Sequence, residues 1–451
     1  MNVGDTLLVG GHFARARWRW KHLRGEALKR YQERRARAMV AYAERNSPFY
    51  RDHWAGQNLR DWRALPTVDK QLMMAHFDTF NTRGIGRDEA MRVALEAERS
   101  RDFRPVIRGL TVGLSSGTSG HRGLFLVSRR EQAAWAGTIL ARTLHHLPRG
   151  RLRVAFFLRS NSNLYEQVSG TLIQFRYFDL MLPLAEAVAA LNDFQPHILV
   201  GPPSLLGFLA SEREQGRLRC QPGRLISVAE VLEPQDEQRI AGIFDAPVHQ
   251  IYQCTEGLLA VSCERGSLHV QEDGVALQYE PLPDDKIAEG EREAAEKRVM
   301  PIVTDLWRRT QPIIRYRLND VLRLDSRPCS CGSAFQVIRS IEGRCDDVCH
   351  FASLDGDLRP FYPDTLRRMA LLASPDIADY QVAQESQERL YIRLMIVPGA
   401  SFESVEGVVR ESANEMFKQY GCRMPEVVIE EGLEPLAPGV KRRRVVTKVG
   451  L

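Results

Sequence analysis

The chain has no apolar run approaching the roughly 20 residues that a helix needs to cross a bilayer, so a membrane-spanning reading falls away. It also lacks the apolar stretch and small-residue cleavage site of a secretory leader, because Arg15, Arg17, Arg19 and Lys21 come too early. A cytoplasmic location is the resulting expectation. Neither GxxxxGK[ST] nor a GxGxxG entering a helix occurs, which removes the two established phosphate fingerprints. A large charge surplus is also missing: 62 Lys and Arg against 57 Asp and Glu leave a net +5, too little to argue for nucleic acid. Repeats and low-complexity linkers are missing as well. What remains is ordinary for a folded protein, 44% apolar and 26% charged. At 451 residues it exceeds what one core organises, so two or more domains are expected.

The small charge surplus is unevenly placed. Arg15, Arg17, Arg19, Lys21, Arg24, Lys29, Arg30, Arg34, Arg35 and Arg37 face only Glu26 and Glu33 over that stretch, with Trp18, Trp20, Leu23, Leu28 and Tyr31 interleaved. Residues 1–45 therefore read as an Arg-rich helical segment. Its cations are either the solvated face of helices packed on the main domain, or a surface for an acidic partner or anionic lipid. Asn46-Ser47-Pro48 ends it, since the residue before a proline is biased away from helix.

Beyond that break, helical patterns over 70–79, 87–98, 129–146 and 234–243 alternate with apolar strand-like runs. The runs are Arg153–Leu158, Ile198–Gly201, Leu225–Glu230 and Val248–Tyr252. Alternation of this kind predicts a layered α/β domain with a parallel sheet. From Gly274 to Leu324 the pattern turns more β-like. After Gly343 a strand at 390–397, an amphipathic helix at 402–419 and a strand at 426–429 predict a smaller α+β domain.

Ser115-Ser116-Gly117-Thr118-Ser119-Gly120-His121-Arg122-Gly123 lies between two extended runs, Leu110–Leu114 and Leu124–Val127. Glycine removes the Cβ that would block the backbone, and main-chain N–H groups with Ser and Thr hydroxyls can then donate to phosphate oxygens. A polar hairpin turn is the plain alternative. Downstream come Tyr252-Gln253-Cys254-Thr255-Glu256, then Tyr316-Arg317-Leu318-Asn319-Asp320, then Gly343-Arg344-Cys345-Asp346-Asp347, then Pro438-Gly439-Val440-Lys441.

In that order the five segments resemble the adenylate-forming superfamily, which reads SGTTG, YGxTE, Y-R-x-GD, GRxDD and a late lysine after a glycine. The nearest resemblance is to the compact phenylacetate–CoA ligase and CapK branch, with its deazaflavin-coenzyme adenylating synthetases, and it runs from about Asn46 to the C-terminus. The resemblance implies a large domain over 46–343 and a smaller, mobile α+β domain over 344–451, turning about Asp346. It implies ATP-dependent activation of a small carboxylic acid to an acyl-adenylate, then transfer to CoA or to the phosphopantetheine of an acidic acyl carrier protein.

Bringing a carboxylate onto an α-phosphate joins two anions, so donors, a cation and a metal are needed. By resemblance, Ser115, Ser116, Gly117, Thr118, Ser119, Gly120, Arg122 and Gly123 would hold the pyrophosphate end of ATP. Glu256 would ligate Mg²⁺, Thr255 would contact the α-phosphate, and Asp320 would take the ribose hydroxyls. Arg344, Glu230 and Tyr252 would add nucleotide contacts, and Lys441 would bridge the carboxylate and the nucleotide. Four departures stand out: Arg122 for the loop lysine, Gln253 for the glycine of YGxTE, Asn319 for the glycine before Asp320, and one glycine fewer before Lys441. The last leaves Arg442 and Lys448 as alternatives to Lys441. Glu256 as a helix cap, Asp320 in a turn and Lys441 in a solvated tail are the structural alternatives.

Eight cysteines in a chain expected in a reducing compartment do not predict disulfides. Cys263 and His269, with the C-x-C pair Cys329 and Cys331, make a Cys₃His set suited to closed tetrahedral zinc; the alternative is four unliganded side chains. Some members of the resembled branch bind zinc at similar cysteines. Cys345, Cys349 and His350 form a second group that reads as coincidence. Phe156, Phe157, Tyr165, Phe175 and Tyr177 could line an aryl pocket or simply pack the core, and they favour an aromatic acid. Acyl transfer to an amine, nucleotidyl transfer alone, or a silent binding protein on the same fold remain as alternatives, the last with the basic N-terminus touching a membrane or partner.

Overall fold

The computed structural model describes residues 3–102, 105–115, 123–144, 150–158, 173–180, 182–282, 298–344, 347–356, 358–371, 373–433 and 443–449. Two compact units share the chain. Unit 1 holds Met1–Tyr279, Ile302–Leu318 and Asp325–Arg339; unit 2 holds Glu280–Pro301, Asn319–Leu324 and Ser340–Leu451.

Unit 1 begins with α1 (Val3–His22) and α2 (Gly25–Asn46). Leu28, Tyr31, Ala36, Met39, Val40 and Ala43 form the buried stripe of α2, at helical spacing. Pro48 cannot donate a backbone hydrogen bond, so α2 stops at Asn46. Ser47 then caps α3 (Pro48–His53) by accepting from the Tyr50 amide, with proline at the helix start, where no donor is missed. Helices α4 (Lys70–Ala75), α5 (Phe77–Phe80) and α6 (Arg87–Ser100) follow. The antiparallel strands β1 (Val106–Ile107), β2 (Leu110–Leu114) and β3 (Leu124–Val127) then form a small sheet whose core includes Phe77, Ile85, Ala90, Val112 and Leu126.

Helix α7 (Arg129–Thr143) carries a capping box in which Ser128 and Glu131 satisfy each other's backbone donors. It packs on α1 so closely that a Cβ on Gly137 would lie 2.6 Å from the Val9 carbonyl oxygen. Several cations of the Arg-rich segment turn inward. Arg35 donates to the Leu306 carbonyl at 2.8 Å and lies 3.9 Å from the centre of the Trp307 ring. Arg142 of α7 is fully engaged: it donates to Gln271 (2.6 Å), the Ala16 carbonyl (2.8 Å) and Asp273 (2.8 Å). The N-terminal helices are thus built into unit 1, and only their outer faces are solvated.

The large sheet starts with five parallel strands in the order β5-β4-β6-β7-β8: β4 (Leu152–Leu158), β5 (Ile173–Asp179), β6 (Ile198–Gly201), β7 (Arg224–Val228) and β8 (Val248–Cys254). Helices α8 (Leu184–Phe194), α9 (Pro203–Glu214) and α10 (Pro234–Phe244) cover one face, burying Phe157, Phe178, Leu191, Leu206 and Phe244. The strands alternate with helices as the apolar runs predict. Past β8 the sheet continues with antiparallel β9 (Gly257–Ser262) and β10 (Leu268–Val270).

Four strands carry the chain between the units: β11 (Val275–Pro281), β12 (Arg298–Asp305), β14 (Asp320–Asp325) and β15 (Val337–Arg344). The short β13 (Tyr316–Arg317) belongs to unit 1. In unit 2, Glu342 is buried and accepts from Arg298 (2.6 Å) and Arg323 (2.7 Å). Next come β16 (Cys349–Ala352), β17 (Leu358–Phe361) and α11 (Pro363–Leu371). The four-stranded sheet β20-β19-β18-β21 is made of β18 (Ile377–Ser386), β19 (Arg389–Ile396), β20 (Glu426–Glu431) and β21 (Val445–Thr447). Helix α12 (Phe402–Gln419) presents Val405, Val409, Ala413 and Phe417 to the same core, giving the expected α+β arrangement.

Candidate functional site

The hydroxyl- and glycine-rich loop hangs from the β2–β3 hairpin. Ser115 and Gly123 close its neck: the Ser115 amide donates to the Gly123 carbonyl at 2.7 Å, and the Gly123 amide donates to Ser115 Oγ at 2.7 Å. Ser116, Gly117, Thr118, Ser119, Gly120 and Arg122 lie outside the described residues. A Cβ built on Gly123 would stand 3.2 Å from Lys70 Cε, so a lysine from α4 reaches the neck. Nothing in the spacing of the loop motif pointed to it, because Lys70 is far away in sequence.

Thr255 and Glu256 form the tight turn between β8 and β9. The Thr255 hydroxyl donates to Glu256 Oε2 at 2.9 Å, and the Glu256 side chain is buried. A buried carboxylate must be compensated by donors or cations. The Tyr316 hydroxyl is buried beside it and, among the described residues, makes no hydrogen bond of normal length. Its own burial, with the neighbouring Glu256 carboxylate, holds that hydroxyl far above the ordinary tyrosine range.

Arg308 joins this turn to the loop strand. Its guanidinium is buried, donates to the Thr255 carbonyl, and reaches the Leu126 carbonyl on β3 at 3.4 Å. Gln311 reinforces the tie: it accepts from the Leu126 amide at 2.8 Å and donates to the Leu124 carbonyl at 3.2 Å. Glu131 fixes the intervening segment, accepting from the Arg309 and Thr310 amides at 2.6 and 2.8 Å. Burial alone would raise the Glu131 carboxyl, but hydrogen bonds from Ser128 and Thr310 prevail and hold it below its ordinary value. Asp305 accepts from the Trp307 and Arg308 amides (2.7 and 2.8 Å), and burial pushes its carboxyl up against those bonds. These residues carry no motif; only the fold reveals that 305–311 links β3 to the Thr255–Glu256 turn.

The remaining sequence-derived candidates distribute as follows. Glu230 follows β7 and accepts from the Ser204 amide at the start of α9 at 3.3 Å, and its neighbour Ala229 has φ +69°, in the left-handed region. Tyr252 is half-buried on β8. On the same strand Gln253, in place of a glycine, accepts from the Trp135 indole of α7 at 2.9 Å. Asp320 and Arg344 both belong to unit 2 and face each other at 3.7 Å. Asp346, Lys441 and Arg442 lie outside the described residues, as do Tyr165 and Cys345. Lys448 pairs with Glu385 on the surface of unit 2, at 2.7 Å. Of the aromatics, Phe157 is core, stacked on Phe178. Phe156, Phe175 and Tyr177 lie together on the opposite face of the sheet with Ile251.

Cys263, His269, Cys329 and Cys331 come together, all four ligand atoms within 4.8 Å of one another. A tetrahedral zinc with Zn–S bonds of about 2.3 Å separates two sulfurs by roughly 3.8 Å and a sulfur from an imidazole nitrogen by roughly 3.5 Å. Cys263 Sγ and Cys329 Sγ are 3.8 Å apart, and Cys331 Sγ lies 3.4 Å from His269 Nε2. His269 Nδ1 lies 2.9 Å from the Phe335 carbonyl, which orients the ring and leaves Nε2 for the cluster. Trp20 of α1 packs edge-on against both His269 and Phe335. The donor set and its spacing fit zinc. Cys349 is instead buried in unit 2, its thiol directed at the Asp347 and Val446 carbonyls.

No family model matches the chain. A phenylacetate-coenzyme A ligase of Thermus thermophilus is 23% identical over 470 aligned positions, spanning 93% of this chain and 96% of the relative. Among solved structures, 2-hydroxyisobutyryl-CoA ligase with 2-HIB-AMP in the postadenylation state superposes with a TM-score of 0.71 at 18% identity, covering 95% and 91% of the two chains. The chain is thus similar in sequence to a phenylacetate-coenzyme A ligase and shares the fold of the adenylate-forming CoA ligases. Another structure of the same 2-hydroxyisobutyryl-CoA ligase, with 2-HIB-AMP and CoA, gives a TM-score of 0.57 at 20% identity over 95% and 91%. The α/β architecture expected for adenylate-forming proteins is the one observed. Among the described residues, no helix is long and apolar enough to cross a membrane.

Proposed function

We propose that this protein is an ATP-dependent acid–thiol ligase. A carboxylate oxygen attacks the α-phosphorus of ATP, the bond to the β-phosphate breaks, and pyrophosphate leaves an acyl-adenylate behind. A thiol of CoA, or of a carrier phosphopantetheine, then attacks the acyl carbon; AMP departs with the bonding electrons and the thiol proton passes to solvent. The observation that carries this reading is the Arg308 bridge, which binds the strand returning from the hydroxyl-rich loop to the turn bearing Thr255 and Glu256. It supplies a fixed scaffold for an anion-holding loop next to a buried carboxylate, the pair that nucleotidyl chemistry requires.

In this reading Glu256 would hold Mg²⁺, and the ion would supply positive charge to offset the phosphates. A single protein carboxylate suits an ion that keeps waters and phosphate oxygens as its other ligands. Ser115 and Gly123 pin the base of the loop, and Asp320 and Arg344 serve the ribose end. Lys441 is the cation of the adenylation step. The apolar face of β4, β5 and β8 with Phe156, Phe175, Tyr177 and Ile251 forms the wall for the acid, with Gln253 filling the volume a glycine would leave. That lining favours an aromatic or other compact acid. A cytoplasmic setting, where ATP and CoA are supplied, belongs to the same proposal.

Exchange of labelled pyrophosphate into ATP across a panel of acids tests the reading. Exchange dependent on one class of acid is expected, and Lys441→Ala should cut it by about 10² or more while ATP binding by calorimetry changes little. An absence of exchange with every acid overturns it.

We further assign a structural zinc to Cys263, His269, Cys329 and Cys331. Elemental analysis of the purified protein should find stoichiometric zinc. Cys329→Ser should lose the metal and lower the melting temperature, because ligand loss removes binding free energy that is also folding free energy. Full-length protein that is metal-free yet melts at the same temperature as the metal-loaded form would remove the assignment.

A further inference from the structure

Helix α1 has an inner face fixed in place and an outer face that no described residue covers. Inside, Val9 packs with Ala133 and Ala136 of α7, Asp5 is buried and paired with Arg129, and Gly137 lets the two backbones meet without a side chain between them. Outside, Leu7 is 72% exposed, Leu8 45% and Trp18 58%. At 100° per residue, Leu7 and Trp18 fall on nearly the same meridian, with Gly11 and Ala14 between them and Leu8 and Arg15 beside them. Burying large apolar groups is favourable, so three of them on the outer side of one helix mark a surface with something to cover it.

The charge around that face says what covers it. The only acidic residue of α1 is Asp5, which points inward. Arg15 and Lys21 are exposed on α1, and Arg24 on the turn that follows. Arg130 is exposed at the start of α7, next to the Arg129 that holds Asp5. A second copy of the chain would bring this cationic helix against its own like, with no exposed carboxylate on α1 to answer it. An acidic protein would answer the cations while leaving the leucines to find a matching apolar pocket. An anionic bilayer answers both at once: headgroup phosphates neutralise the cations, and Leu7, Leu8 and the indole of Trp18 enter the boundary between headgroups and acyl chains.

We propose that the outer face of α1 docks unit 1 peripherally on a membrane rich in anionic phospholipid, by shallow insertion of Leu7, Leu8 and Trp18 among Arg and Lys contacts. The proposal is independent of the ligase reading, since none of these residues belongs to the nucleotide site.

The test is co-sedimentation of the full-length protein with vesicles of phosphatidylcholine alone and of phosphatidylcholine mixed with phosphatidylglycerol. Binding is expected only to the mixed vesicles, weakening as salt rises. The double variant Leu7→Glu/Leu8→Glu and the single variant Trp18→Ala should each bind about tenfold or more weakly, with unchanged melting temperatures because the side chains are exposed. Failure to bind the anionic vesicles would overturn the proposal, as would equal binding by the Leu7→Glu/Leu8→Glu protein. So would absence of vesicle binding alongside a dimer, seen by light scattering, that the double variant dissociates. Capture of a soluble acidic protein in place of vesicles would count the same way.

Discussion

Arg142→Ala is expected to destabilise unit 1 by about 3–5 kcal/mol, the cost of leaving a buried charge without its partner. Arg142 and Asp273 are each 3% exposed at the side chain, and their contact is 2.8 Å. The same guanidinium supports the Gln271 side chain and the Ala16 carbonyl and stacks 4.7 Å from the Trp20 ring. Its loss therefore strips Asp273 of its closest cation and loosens α1, α7 and the approach to β11 together. Arg19, 3.9 Å from Asp273 on the other oxygen, compensates only in part. Denaturant unfolding should show the midpoint falling; an Arg142→Ala protein within 1 kcal/mol of the parent would contradict a closed polar network here. Arg142→Lys should recover less than half of the loss, because an ammonium cannot reach three acceptors in one plane.

Glu256→Gln is expected to lower pyrophosphate exchange by at least about 10²-fold with little change in melting temperature. Glutamine preserves the volume and can still accept from the Thr255 hydroxyl, so the turn between β8 and β9 keeps its shape. What goes is the negative charge, and with it the affinity for a divalent ion. Raising the magnesium concentration should restore part of the exchange, which a purely structural defect would not allow. A variant with parental activity at every magnesium concentration would separate Glu256 from metal binding. The two experiments probe different things: Arg142 reports on the scaffold, Glu256 on the chemistry it presents.

The sequence made the architecture legible where periodicity is strong. The strands at 153–158, 198–201 and 248–252 and the helices at 129–143, 234–244 and 402–419 all lie where apolar spacing puts them. It was silent about β5, because Gln174 and Arg176 interrupt the apolar run, and about β18, whose polar positions dilute the alternation. The four zinc-type ligands were legible because Cys and His are rare enough for their neighbourhood to carry information. Arg308, Gln311 and Asp305 were not, since an arginine in a basic chain looks like a solvated one until its acceptors are seen. The Arg-rich opening illustrates the same limit in reverse: Arg19 and Arg35 enclose Trp307 and serve packing, while Arg15 and Lys21 remain at the surface.

The four strands that shuttle the chain between the two units have a consequence for biosynthesis. Met300 and Val321, which precede Ser340 in the chain, help bury Val348 and Tyr362, which follow it. The cysteines of Pro328–Gly332 must likewise reach back to Cys263 and His269. Neither unit can therefore close on the ribosome as an early, self-contained parcel; the N-terminal part waits for residues beyond 325, and a fragment cut at 344 would emerge with Val348 and Tyr362 bare. The isolated C-terminal fragment keeps its own core between Cys349 and Val445 but loses Met300 and Val321 from the patch at Val348 and Tyr362, so it is expected to melt below the intact protein in a thermal scan, a cost written into the order in which the threads are laid down.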